Sequence, residues 1–332
     1  MHGWIILDKP HAMGSTDAVT AVKRAFRQGG FGKVKVGHGG TLDPLATGVL
    51  PIALGEATKL TGQMLNGDKT YDFTIRFGVE TDTLDVEGKP VATSDVRPTL
   101  AEIEAVLPHF TGPIEQVPPA FSALKVDGQR AYDLARAGER VELASRSVTV
   151  HALLVRHPEL VSGSIAPQQP KPQDDGWTLK QVQGDEMGAG RQPLETITLS
   201  AHVSKGTYIR SLARDIALAL NTVGHVTMLR RTRAGPFDLE SAISLDFLEE
   251  AAKARRLTET VLPLEAALDD IPALPVTPDQ AQLLRHGQRL SGIPAKPGLN
   301  LATEGGRPIA LVEATADGLR VVRGFNLWKR QE

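Results

Sequence analysis

Twelve residues, Gly37-His38-Gly39-Gly40-Thr41-Leu42-Asp43-Pro44-Leu45-Ala46-Thr47-Gly48, narrow the folds open to this chain more than any other stretch. Four glycines and a proline in that space are incompatible with a helix interior or a central ladder strand. Pro44 fixes its own φ and pushes Asp43 toward an extended backbone. Asp43 is therefore a carboxylate carried on a shaped loop. The same residues suit a plain turn, since Asp before Pro is a common turn starter. A phosphate-cradling loop would need Gly-Lys-Ser/Thr, and this stretch has Gly-Thr-Leu-Asp. His-Gly-Gly resembles an oxyanion motif, but no Gly-x-Ser-x-Gly elbow occurs in the chain.

The 332 residues allow about two domains at roughly 150 residues each, and an apolar content of 41% supports a real core. No apolar run reaches the roughly 18–20 residues needed to cross a bilayer. The start, Met1 to Asp8, lacks the pattern of a signal peptide. The absence of cysteine excludes disulfides, thiolate catalysis and Cys-ligated zinc. The nine histidines show no metal-ligand spacing. Together these features predict a cytoplasmic protein with no membrane partner, no metal, no nucleotide cofactor and no other cofactor.

A net charge of −2 argues mildly against a nucleic-acid binder, but the charges are unevenly placed. Between Ala18 and His38 lie five basic residues and no acid. Between His202 and Pro236 six basic residues face the single Asp215, while Glu240 to Asp270 is acidic. If the two basic segments converge they form an electropositive track for a phosphate backbone; if not, they are solvated faces. Lys23, Arg24, Arg231 and Arg233 are the candidate phosphate contacts.

Periodicity organises the rest. A strand is predicted over Trp4 to Leu7, and a helix capped by Ser15 or Thr16 runs to about Gln28. Tyr71, Phe73, Ile75 and Phe77 alternate with polar residues over Lys69 to Phe77, the pattern of a half-buried strand. Helices are expected at Thr99 to His109, around Arg130 to Ala137, at Tyr208 to Leu220 and at Leu257 to Ala267. Strands are expected at Ala120 to Val126, Ser147 to Val155 and Thr196 to Val203, and Val223 to Arg233 reads as extended. Residues 157–193, rich in Pro, Gln, Gly and Asp, read as an exposed, poorly ordered insertion. Pro272 to Pro275 marks a domain boundary, with short strands and Gly turns beyond it.

Six ordered segments resemble one family, the TruB-type tRNA pseudouridine-55 synthases. The densest is Gly37 to Lys59, where the Asp43 loop runs into Leu54-Gly55-Glu56-Ala57-Thr58-Lys59. The others are Asp8-Lys9-Pro10, Lys69-Thr70-Tyr71, Ser122 to Gly128, Ser204 to Arg210 and His225 to Arg231. The resemblance implies an α+β fold with a mixed, largely antiparallel sheet flanked by helices. It places a catalytic domain at 1–270 and a small β-barrel-like, PUA-type RNA-binding domain at 273–332. The activity implied is isomerisation of uridine to pseudouridine in the T arm of tRNA by a monomer without cofactor. A non-catalytic tRNA-binding or folding protein on the same scaffold is the alternative. A glycoside hydrolase would want two carboxylates, and only one stands out.

Residue by residue, the resemblance makes Asp43 the catalytic aspartate and Arg210 the cation that pairs with it. It leaves open attack at C1′, attack at C6 or elimination to a glycal. Tyr71 corresponds to the tyrosine that stacks on the base, and Tyr208 to a second tyrosine of the uracil pocket. Leu229 is the apolar wall of that pocket. His38 would occupy the space left by the extruded base, and Lys9 would support the site. The glycines of the Asp43 loop then read as room for the extruded nucleotide.

Overall fold

The structure is a computed structural model that describes residues 1–122, 124–126, 128–137, 143–156 and 192–327. The chain opens with β1 (Gly3–Lys9), α1 (Ser15–Gln28), β2 (Val36–His38), β3 (Thr47–Leu54), a 3-10 turn (Gly55–Leu60) and α2 (Thr61–Asn66). Next come β4 (Lys69–Phe77), the hairpin β5 (Val79–Thr81) and β6 (Pro90–Thr93), α3 (Leu100–Val106) and β7 (Gly112–Gln116). The small ladder β8 (Lys125–Val126) and β9 (Gln129–Arg130) leads to α4 (Ala131–Arg136) and β10 (Arg146–Val155). Then follow β11 (Thr196–Val203), α5 (Ile209–Ala219), β12 (Gly224–Ala234), β13 (Phe237–Asp238) and α6 (Leu245–Lys253). The last elements are β14 (Ala273–Pro275), α7 (Pro278–Arg285), β15 (Gly298–Glu304), β16 (Arg307–Thr315) and β17 (Gly318–Gly324).

The chain divides into two compact units, Met1–Thr70 with Arg230–Glu332, and Tyr71–Leu229. In the first, β1 runs antiparallel to β3 in unbroken register from Gly3↔Leu54 to Lys9↔Gly48. β2 pairs antiparallel with the end of β3, and Arg230 and Arg231 of β12 pair parallel with Thr47 and Gly48. The sheet is therefore mixed. Val49 to Leu54 is buried throughout, as its continuous apolar run requires. The Asp43 loop is the connection from β2 to β3, so a buried strand anchors its far end.

The C-terminal elements belong to this same unit. Leu301, Leu311 and Phe325 pack in one cluster with Trp4, Ile6 and Val49. A second cluster, including Ala281, Leu284, Ile309 and Val312, lies under α7. The second cluster is drawn wholly from beyond Pro272, whereas the first takes residues from both sides of the stretch Pro272 to Pro275. The last three residues of that stretch form β14, which pairs parallel with β15. Among the described residues β14, β15, β16 and β17 form an open sheet, not a closed barrel.

In the second unit the strand order is β12, β4, β11, β10, β7. Phe73, Ile75 and Phe77 are buried, as the alternation requires, whereas Tyr71 at the edge of the stripe stays half-exposed. Helix α5 buries Leu212 and Ile216. No helix among the described residues is long and apolar enough to cross a membrane.

Two helix predictions need correction. Leu257 to Ala267 is two 3-10 turns, Leu257–Thr260 and Leu264–Ala267, with Pro263 between them. Proline removes a donor and holds its predecessor extended, so one continuous helix cannot form there. Helix α1 is capped by Gly14, whose N–H donates to Asp17 Oδ2 at 3.2 Å, and not by Ser15 or Thr16. The Ser15 hydroxyl serves a different partner, described below. Most of the 157–193 insertion, residues 157–191, lies outside the described residues.

Candidate active site

The loop that carries Asp43 is held almost entirely through its backbone. The buried Ser15 Oγ accepts from the Leu42 N–H at 2.8 Å and donates to the Leu42 carbonyl at 3.0 Å. The Pro44 carbonyl accepts from the Ala12 N–H at 2.9 Å and from Lys9 Nζ at 3.3 Å. A local turn is closed by the Ala46 N–H donating to the Asp43 carbonyl at 3.0 Å. Leu42, Leu45 and Ala46 are buried and pin the same segment to the core. Asp43 is half-buried, so its carboxylate stands on a rigid backbone.

Two of the glycines are explained by protein, not by ligand. Gly48 has φ +98°, and a Cβ there would lie 2.1 Å from the Arg231 carbonyl oxygen. At Gly39 a Cβ would lie 2.7 Å from Met64 Cβ. These two glycines therefore do not leave room for a nucleotide.

Lys9 is fully buried, and its ammonium also donates to the carbonyls of Met13 at 2.7 Å and Pro10 at 3.0 Å. Burial pulls its pKa from 10.5 down to about 8; the Asp43 charge opposes this and the Arg231 charge adds to it. The unfolded chain holds the Lys9 proton up to about pH 10.5, and the folded chain loses it near 8. Between these values the unfolded state binds more protons, so stability gains from rising pH. Compared with Lys9→Met, the wild type is expected to gain up to about 3 kcal/mol from pH 8 to 10.5, read by urea melts across that range.

His38, at the end of β2, is half-buried, and its Nδ1 has no hydrogen-bond partner among the described residues. Burial, followed by the Arg231 charge, lowers its pKa and favours the neutral ring. Arg230 forms a fork with Asp8, at 2.8 and 3.1 Å, beside the start of β3. Asp8 and Lys9 are thus both tied into the surroundings of the loop, as one motif.

The second unit carries Tyr71, Tyr208, Arg210 and Leu229. Leu229 is buried on β12. Tyr208 caps the start of α5 with an extended backbone. The side chain of Gln116 grips it, accepting from the Tyr208 N–H at 2.7 Å and donating to the Tyr208 carbonyl at 3.1 Å. The Arg146 guanidinium lies over the Tyr208 ring, 5.2 Å from its centroid.

Arg210 is 6% exposed, not a solvated helix face. Its Nη1 donates to Asp85 Oδ2 at 3.2 Å and to the Thr83 carbonyl at 2.9 Å, and its Nη2 donates to the Phe121 carbonyl at 3.0 Å. Asp85 is itself buried and accepts from Thr83 Oγ1 at 2.6 Å and the Glu87 N–H at 3.0 Å. Asp85 and Gln116 were missed from the sequence. Each sits in a segment without periodic signal, and only long-range partners give it a role.

Lys23, Arg24 and Arg233 are exposed. Arg24 pairs with Glu249 at 2.8 Å, and Arg233 Nε donates to the Gly235 carbonyl at 2.9 Å. Arg231 is only 1% exposed, with its guanidinium turned onto backbone carbonyls. It is therefore corrected from a phosphate contact to an interior residue, because a buried, committed fork cannot reach RNA.

Comparison with known proteins bears on the family of the chain. Residues 26–163 match the model of the TruB family pseudouridylate synthase N-terminal domain, and 210–269 that of the tRNA pseudouridylate synthase B C-terminal domain. The tRNA pseudouridine synthase B of Novosphingobium aromaticivorans is 59% identical over 325 residues, covering 98% of this chain and 97% of that protein. That of Zymomonas mobilis is 54% identical, covering 98% and 96%. A chain in the crystal structure of a Cbf5–Nop10–Gar1 complex superposes with a TM-score of 0.64 at 24% identity, covering 97% of this chain and 84% of that one, which speaks to the fold alone. A mixed sheet flanked by helices, a backbone-clamped aspartate loop and near full-length identity above one half lead to one statement: the chain belongs to the TruB family of pseudouridylate synthases.

Proposed function

We propose that this protein isomerises uridine to pseudouridine at position 55 in the T arm of tRNA, with Asp43 as the catalytic carboxylate. The observation that carries the reading is the Asp43 loop, a carboxylate fixed by backbone clamps within a family of pseudouridylate synthases. The reaction breaks the N1–C1′ bond, turns the base and joins C5 to C1′; C5 loses a proton and N1 gains one. A carboxylate serves it as nucleophile or as counter-charge to a cationic sugar. In this reading Arg210 is the cation that pairs with Asp43. Extracting the base costs about a few kcal/mol, and stacking on Tyr71 and Tyr208 returns roughly 1–3 kcal/mol per base. Leu229 walls the pocket, His38 fills the vacated stack and Lys9 supports the loop. Residues 1–270 are the catalytic domain and 273–332 a PUA-type RNA-binding module. The protein acts as a cytoplasmic monomer.

A site-resolved pseudouridine map of tRNA, made with and without the protein, tests the assignment. The expected result is one protein-dependent modification in the T arm. Remodelling of tRNA with no pseudouridine formed would support the folding-protein alternative instead. Removal of charge at Lys23, Arg24 or Arg233 is expected to weaken RNA binding and to flatten its salt dependence by about one unit of slope per residue. An unchanged slope in salt titrations would make them solvated residues without a role in binding.

A further inference from the structure

Arg231 fits neither a surface nor a core role. The residue is 1% exposed, and among the described residues its guanidinium has no carboxylate partner. Burying an unpaired charge is unfavourable, and an apolar side chain on β12 would avoid that cost. The guanidinium uses its planar fork on three carbonyls that share one segment. Nε donates to Val49 at 2.7 Å, Nη2 to Gly40 at 3.2 Å and Nη1 to Thr41 at 3.4 Å. Gly40 and Thr41 stand just before Asp43, and Val49 stands just after the loop. The Arg231 backbone meets the loop as well, in parallel register with Gly48 and so close that only glycine fits. One residue therefore touches both ends of the loop that carries Asp43, by side chain and by main chain.

We propose that Arg231 is a positioning residue that sets the placement of Asp43 by clamping residues 40–41 to 48–49. This rests on the reading of Asp43 as the catalytic carboxylate. A lysine cannot substitute, because its single ammonium cannot serve three carbonyls in the plane that the fork spans. A displacement of about 1 Å at a reacting group is enough to cost on the order of 10²-fold in rate.

Arg231→Lys is compared with wild type and Asp43→Asn, with T-arm RNA as substrate and with thermal melting and circular dichroism as controls for folding. The expected result is a folded protein with kcat lowered by about 100-fold and KM for the RNA within about threefold of wild type. A folded Arg231→Lys with kcat near wild type overturns the proposal. So does a loss confined to KM, which would make Arg231 an RNA contact. Arg231→Gln, which keeps a donor and drops the charge, is the second variant. Failure of both to fold would make Arg231 a folding determinant and would also overturn the proposal. If Asp43→Asn keeps its turnover, the reading of Asp43 fails; if it is inactive while Arg231→Lys is fully active, only the positioning role fails.

Discussion

Asp43→Asn is expected to lower pseudouridine formation by on the order of 10⁴-fold while tRNA affinity stays close to wild type. The structure explains why the two effects separate. The clamps on the loop, from Ser15, Ala12, Lys9 and Arg231, engage the amide of Leu42 and the carbonyls of residues 40, 41, 42, 44 and 49. The amide of asparagine is nearly the shape of the carboxylate and leaves those bonds in place. What is lost is the charge. Asp43 also raises the pKa of Lys9, so the substitution should move that pKa further below about 8. Quench assays of product and filter binding of tRNA check the first two points. Retained turnover would remove Asp43 from the chemistry.

The second large effect concerns stability. Arg210→Met leaves Asp85 buried without its guanidinium and strips donors from the carbonyls of Thr83 and Phe121. Breaking one side of a buried pair costs roughly 3–5 kcal/mol, far more than the net value of the pair. Arg210→Met is expected to lose that much in urea melts. Adding Asp85→Asn removes the orphaned charge, so the double variant should be more stable than the sum of the two singles predicts, by at least about 1 kcal/mol. Strict additivity would show that the two groups do not depend on each other.

Much of the layout was legible because it follows local rules. The alternation of Phe73, Ile75 and Phe77 made β4 readable, the spacing of Leu212 and Ile216 made α5 readable, and the glycines and Pro44 marked the Asp43 loop. What escaped depends on partners far along the chain. Asp85 looks like one acid among several until Arg210 is brought to it from 125 residues away. Arg231 stands beside Arg230 and near Arg233 in a basic run, and strand alternation sends Arg230 and Arg231 to opposite faces. Ser15 reads as a helix cap, yet its hydroxyl closes on Leu42, and Gly14 takes the cap. In each case a polar side chain answers a distant backbone or charge, and no window of sequence contains both.

The bond from Arg231 to Gly40 spans 191 residues and sets an order of events during synthesis. A nascent chain that has emerged past β3 holds Asp43, Lys9, Ser15 and the β2–β3 pairing, but not yet the Arg231 latch across the loop. At roughly 5–20 residues per second, the ribosome adds the missing strand about 10–40 s later. On the reading of Asp43 as the catalytic carboxylate, a chain that stops short of β12 carries the aspartate on a loop without this latch and is expected to have little activity.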